Sequence, residues 1–161
     1  MGTGKTRVAK MLAGRLGMKY VSTDDLIEKR EKTTISEIFA KRGEGYFREV
    51  EKDVVSEASL AEGVVIDAGG GAIIKPENVL NLKKKGVLIC LWAEPEVILE
   101  RTKKCADRPL LSVGDPLGRI KKLLETRKPF YERADYHVHT SRMSAERVAD
   151  EIERIMNEAV T

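Results

Sequence analysis

Near its start the chain carries Gly2-Thr3-Gly4-Lys5-Thr6. These residue types, in this order, suit the binding of a chain of phosphates. Glycines let successive backbone N–H groups close on phosphate oxygens. A lysine sets a point charge against them, and a threonine hydroxyl is a ligand for a bridging Mg²⁺. Gly4-Lys5-Thr6 matches the end of a Walker A loop, G-x-x-x-x-G-K-[ST]. Arg7 to Leu16 then reads as a helix whose positive end faces the phosphates. Short glycine-lysine strings also arise by chance, so the rest of the chain must decide.

Other residues stand where chemistry is done. Asp24 follows the short strand Met18 to Val21. A carboxylate there accepts or orients the proton of an attacking hydroxyl. It is equally a good N-cap for the helix expected at Leu26. Asp67 ends the apolar run from Val64 and precedes Gly69-Gly70-Gly71. It reads either as an acid that lends charge to the waters around Mg²⁺ or as the cap of the glycine turn. Arg48 and Arg127 are planar cations suited to a carboxylate. Glu51, one turn beyond Arg48, would pair with it and orient it. Each arginine alone reads equally as a surface ion-pair residue. Arg108 lies in a stretch without apolar periodicity, Cys105 to Pro116, read as a mobile loop. A cation carried by a closing loop to a transferring phosphate is worth roughly 10³–10⁵ in rate. His137 and His139 share one strand face at metal-compatible spacing, but no acid or cysteine completes a site, so they read as structural.

These residues need elements to position them. Val8, Met11, Leu12 and Leu16 fall at helical spacing, and Gly17 stops that helix. Helices are expected over Leu26 to Lys32, Ser36 to Lys41 (ended by Gly43) and Tyr46 to Leu60. Further helices are expected from Pro76 to Lys84, Pro95 to about Lys104, Leu117 to Arg127 and Ala145 to Ala159. Strands are expected at Val64 to Ala68, Val87 to Trp92 and Tyr136 to His139. The near-continuous apolarity of the Val87 to Trp92 run suits a strand covered on both faces. Strands alternating with helices imply parallel βαβ units in a three-layer α/β domain, with its site at the carboxyl ends of the strands.

The chain has 161 residues, a length that suits one domain. A net charge of +3 fits an anionic substrate, and the basic residues are dispersed among acids, which gives no nucleic-acid patch. Two cysteines, Cys90 and Cys105, make no disulfide framework, and a reducing cytoplasm is expected. Cys90 reads as a small core residue, and Trp92 as a core or rim residue. No run reaches membrane-spanning length.

In this order, Gly4-Lys5-Thr6, Asp24 within Ser-Thr-Asp-Asp-Leu-Ile-Glu, Gly45 to Glu51, Gly69-Gly70-Gly71, Asp107 to Leu111 and Arg127 to Tyr131 resemble the shikimate kinases over essentially the whole chain. The resemblance implies a P-loop fold of the nucleoside-monophosphate-kinase type. Its parallel sheet has strand order 2-3-1-4-5, with strand 1 missing here, and a mobile lid at about 105–116. It implies transfer of the γ-phosphate of ATP to the 3-hydroxyl of shikimate, on the route to chorismate and aromatic amino acids, with Mg²⁺ as cofactor. Gly2, Thr3, Gly4, Lys5, Thr6, Arg101, Arg108 and Arg142 would bind ATP, Arg101 by stacking on adenine. Asp24, Arg48, Gly69, Gly70, Gly71 and Arg127 would hold shikimate. Lys5, Asp24 and Arg108 would carry the chemistry. Thr6 would hold Mg²⁺. The family commonly has an aspartate at the position of Ser22, which assists the metal, so Asp67 becomes the candidate that offsets Ser22. The partners expected are ATP and shikimate alone, with no nucleic acid or membrane, for a monomer.

The strand that feeds a Walker A loop, and the loop's first glycine, are expected upstream of Met1. Burying such a strand is worth on the order of 10 kcal/mol, comparable with a whole domain's net stability. The expectation is that Met1 is an internal methionine. An intact mass of the native-source protein equal to that of this sequence would overturn it. Two rival readings stand beside the kinase. A gluconate-type kinase would have no need of two arginines with a triple glycine. A nucleotide-binding module without catalysis would have no need of Lys5, Asp24, Arg48, Arg108 and Arg127 together.

Overall fold

The computed structural model describes residues 2–103 and 114–159, with no side chain described at 159. They form two compact units. One is Ala9–Leu88. The other joins the N-terminal segment up to Val8 to the residues from Ile89 onward.

Helix α1 (Lys5–Arg15) buries Val8, Ala9, Leu12 and Ala13 on one stripe. It ends in a Schellman turn. Gly17 has φ +63°, the Met18 amide donates to the Ala13 carbonyl at 2.9 Å, and the Gly17 amide donates to that of Gly14 at 3.4 Å.

In the Ala9–Leu88 unit, β1 (Lys19–Ser22) pairs in parallel with β2 (Val64–Asp67), so that Ser22 stands opposite Asp67. Helix α2 (Thr23–Glu31) starts directly from β1, and Ser22 is its N-cap, accepting from the Asp25 amide at 3.1 Å. The cap reading of Asp24 is therefore corrected. Asp24 sits inside the first turn, and the hydroxyl one turn back takes the capping bond. Helix α3 (Ile35–Ala58) merges the two helices expected on either side of Gly43. Gly43 breaks the helical geometry between them, with φ 78° and ψ 173°, where the first of the two was expected to end. Ile27 of α2 packs with Ile38, Phe47, Val50 and Val54 of α3. A 3₁₀ turn (Ala72–Ile74) follows the glycines and leads into α4 (Pro76–Lys83).

In the other unit, β3 (Ile89–Trp92) pairs in parallel with β4 (Tyr136–His139). Helix α5 (Pro95–Lys103) and helix α6 (Pro116–Tyr131) enclose Ala93, Ile98 and Ile120. Helix α6 runs one turn beyond the expected end at Arg127. Pro129 inside it donates no amide bond. The last turn is held by the Glu132 amide on the Lys128 carbonyl at 3.1 Å and by Tyr131 edge-on to Trp92, ring centres 5.3 Å apart. Helix α7 (Ala145–Ala159) buries Val148, Ala149, Ile152 and Ile155 along one stripe.

The sheets are two parallel pairs, β1-β2 and β3-β4. Strands β2 and β3 are half-buried along their lengths, so β3 is less fully covered than its apolar run suggests. No helix among the described residues is long and apolar enough to cross a membrane.

Candidate active site

The phosphate loop lies in the unit that holds β3 and β4. Gly2 has φ +65° and Gly4 φ +91°, values that favour glycine at both positions. The Val8 amide donates to the Gly4 carbonyl at 3.1 Å, so α1 begins at the loop and directs its positive end there. Lys5 opens the helix half-buried, Thr6 is exposed, and the Thr3 side chain is buried. The loop is seated closely on α5. A Cβ at Gly2 would come within 3.0 Å of Ile98 Cγ2 and 3.1 Å of Thr102 Cγ2.

Arg101 stands beside this loop. Its Nη1 donates to the Gly2 carbonyl at 3.4 Å and to Thr140 Oγ1 at 3.1 Å, and its Nη2 donates to the Thr140 carbonyl at 2.9 Å. These bonds use the edge of the guanidinium, whereas stacking on adenine uses its face. Arg142 is exposed in the turn after β4. Arg127 is half-buried on α6. Cys90 on β3 is half-buried, and burial pushes its thiol up to about 11, with the charge of Lys5 acting weakly the other way. His139 is exposed, and the carbonyl of Tyr131 lies 3.0 Å from His137 Nε2, which makes that nitrogen the donor. Arg108, and with it residues 105–113 of the expected lid, lies outside the described residues.

A second constellation is built within Ala9–Leu88. Arg48 on α3 is a half-buried guanidinium whose Nη1 donates to Glu51 Oε2 at 2.6 Å. Glu51 is 1% exposed, so its charge is balanced by Arg48 rather than by water. On its other edge Arg48 reaches the exposed Glu44, with Nε 3.4 Å and Nη2 3.2 Å from Oε1. The glycine run closes over these groups. A Cβ on Gly69 would come to 2.9 Å from Asp24 Oδ1 and 3.3 Å from Glu51 Oε1. A Cβ on Gly71 would overlap Nη1 and Nη2 of Arg48. Asp24, Glu51, Arg48, Gly69 and Gly71 therefore meet at one place.

Thr23, fully buried, ties this place together. Its Oγ1 donates to the Asp67 carbonyl at 3.4 Å and accepts from the Gly69 amide at 3.1 Å. Neither Thr23 nor Thr140 stood out in the sequence. Both directly follow or end a strand, the position at which α/β sites gather, and that rule would have singled them out.

Asp67 accepts the Tyr20 hydroxyl at 3.1 Å, and burial together with the Asp67 charge raises the Tyr20 pKa. Mg²⁺ asks for hard oxygen ligands, few of them from protein when phosphate oxygens supply the rest. Thr6 carries a hydroxyl oxygen and Asp67 carboxylate oxygens, each a donor of that kind. Ser22 spends its oxygen on the Asp25 amide. Among the described residues no cluster of three or more His, Cys, Asp and Glu is placed to hold a metal.

A glycine-lysine-threonine loop at a helix head, in a chain whose strands pair in parallel and alternate with helices, defines a P-loop α/β phosphotransferase. A sequence model of the shikimate kinase family matches residues 1–157. The chain is 49% identical to the shikimate kinase of Caldanaerobacter subterraneus subsp. tengcongensis, over 96% of this chain and 90% of that protein. It is 45% identical to that of Thermodesulfovibrio yellowstonii, over 98% and 93%. Its fold matches a structure of shikimate kinase from Acinetobacter baumannii in complex with shikimate, with TM-score 0.92, 36% identity, and 99% of this chain and 89% of that one covered. The Aquifex aeolicus shikimate kinase matches with TM-score 0.85 and 36% identity, over 99% and 94%. The chain belongs to the shikimate kinase family, and is an ATP-dependent phosphotransferase. The gluconate-type and non-catalytic readings are set aside with that.

Proposed function

We propose that this chain moves the γ-phosphate of ATP to the 3-hydroxyl of shikimate, as a cytoplasmic monomer acting as one kinase domain over 1–161. The loop Gly2 to Thr6 serves the phosphoryl donor. Asp24, Arg48, Arg127 and Gly69 to Gly71 serve the acceptor.

The observation that carries this reading is the Arg48–Glu51 pair set against Gly71. A guanidinium tied by one nitrogen to a buried carboxylate is held ready, and its free geometry matches a planar carboxylate. The edge formed by Nε and Nη2 faces Glu44. The shikimate carboxylate would replace Glu44 there, with Arg127 as the second cation. The amide of Gly70 or Gly71 would meet a ring hydroxyl.

Asp24 would accept or orient the proton of the attacking hydroxyl. Lys5 would stabilise charge on the transferred group, and Arg108 from the lid would add to it. Lid closure over about 105–116 would exclude water and so suppress ATP hydrolysis. Arg101 and Arg142 would hold the adenine end. Thr6 would hold Mg²⁺, with Asp67 acting through its waters, and the ion would supply neutralising charge to the phosphates.

A coupled assay of ADP release with MgATP, with and without shikimate, tests the reading. Turnover that depends on shikimate is expected. A folded protein that binds ATP and gives no such turnover would overturn it.

A further inference from the structure

We propose that Thr140, acting with Arg101, is a positioning residue for the phosphate loop, a relay that turns and polarises the amides of Thr3 and Gly4. The proposal rests on the reading of Gly2 to Thr6 as the phosphate site.

Thr140 follows β4 and is 1% exposed. Its Oγ1 donates to the Thr3 carbonyl at 3.1 Å and accepts from Arg101 Nη1 at 3.1 Å. Its own backbone is anchored at both ends. The amide donates to the Trp92 carbonyl at 2.7 Å, and the carbonyl accepts from Arg101 Nη2 at 2.9 Å. Arg101 Nη1 also reaches the Gly2 carbonyl at 3.4 Å. Two successive loop carbonyls, Gly2 and Thr3, are thus drawn toward the α5 and β4 side.

A trans peptide is planar, so a carbonyl and the amide that follows it point in opposite directions. The Gly2 carbonyl shares its peptide with the Thr3 amide, and the Thr3 carbonyl shares its peptide with the Gly4 amide. Donors that hold these carbonyls on one side present the two amides on the other. The positive φ of Gly2 and Gly4 makes that arrangement accessible. A hydrogen bond to a carbonyl also polarises its peptide and strengthens the N–H as a donor, most of all when the chain of bonds begins at a cation. Arg101 to Thr140 to the Thr3 carbonyl is such a chain. Thr140 would then act on phosphate without touching it.

Thr140→Val removes the hydroxyl with little change in shape, and Thr140→Ser keeps it. The measurements are KM for ATP, KM for shikimate, and the inhibition constant of tripolyphosphate, which has no adenine or ribose. For Thr140→Val, ATP KM and the tripolyphosphate constant are expected to rise about five- to tenfold, the size of one lost buried hydrogen bond. Shikimate KM is expected to stay unchanged, and Thr140→Ser to restore both values. Unchanged tripolyphosphate inhibition in Thr140→Val, or an equal rise in shikimate KM, would overturn the relay. If Thr140→Val does not fold, Arg101→Lys decides, because it keeps the charge and loses the fork. Weaker tripolyphosphate inhibition is expected from it. A role confined to adenine would leave that constant unmoved and overturn the relay. An unmodified protein that shows neither shikimate-dependent turnover nor tripolyphosphate inhibition would overturn both the relay and the reading beneath it.

Discussion

The carboxylate of Asp24 lies so near Gly69 that a single added methyl group at that glycine would stand 2.9 Å from Oδ1. Asp24 lies in the first turn of a helix and Gly69 follows a strand, and the hydroxyl of Thr23 accepts from the Gly69 amide at 3.1 Å. The glycine is needed for the space its neighbour's carboxylate occupies, rather than for a special backbone angle.

Gly69→Ala is therefore expected to push the Asp24 carboxylate aside. Oδ1 is the end of an exposed side chain and yields cheaply, so the protein should stay folded. The rate should suffer instead. We expect kcat to fall about tenfold or more, with ATP KM little changed. Steady-state kinetics beside a thermal melt check this. A variant with full kcat would show that Asp24 does not need its present place.

Glu51→Ala is expected to damage the fold as well as the site. It leaves the guanidinium of Arg48, which is 12% exposed, without its buried partner. Breaking such a pair costs about 3–5 kcal/mol. Urea unfolding should show a loss of that order. Glu51→Gln, which can still accept from Nη1, should lose less and should raise shikimate KM while leaving ATP KM alone.

Glu44→Gln tests the replacement of Glu44 by the substrate carboxylate. Glu44 is exposed and contacts Arg48 through the edge assigned to the substrate. Exposed pairs are worth about 0–1 kcal/mol, so removing the competing charge should lower shikimate KM by at most about fivefold. A rise in shikimate KM would mean that Glu44 helps to hold Arg48 in place.

The Cys90 thiol sets a limit on stability at high pH. Burial raises its folded pKa to about 11 from an ordinary 9.0. Between those values the unfolded chain loses a proton that the folded chain keeps. The stabilisation it contributes is complete below pH 9.0 and is lost as pH rises toward about 11. Cys90→Ala should flatten the fall in melting temperature over that window. In the native protein, alkylation of Cys90 at pH 8, followed by peptide mapping, should be slower than that of a model thiol.

Much of the candidate site was legible because its signals are local. Gly4-Lys5-Thr6 is a contiguous pattern, and the pairing of Arg48 with Glu51 follows from a spacing of one helical turn. Gly17 announces the end of α1 by its own chirality-free backbone. Gly43 carried the same kind of signal, and with φ 78° and ψ 173° it divides α3 into two helical stretches. The packing of Ile38 and Phe47 around Ile27 sets both stretches against α2. Pro129 fails to end α6, because contacts of Tyr131 outweigh one missing amide bond. Asp24 was open to a capping role until Ser22 was seen to take it.

The sequence by itself determined which chemical groups are available and which short segments carry them, since residue type and helical or strand period act between near neighbours. Only the tertiary structure decided why Gly69 and Gly71 must lack a side chain, and that Thr23 and Thr140 are organising residues. Those facts depend on contacts between distant parts of the chain, such as the bond from Thr140 to the Thr3 carbonyl across 137 positions. No local period encodes such a bond. It exists because folding buries a hydroxyl that must then find partners, and a loop carbonyl and a guanidinium are the partners the fold brings to it.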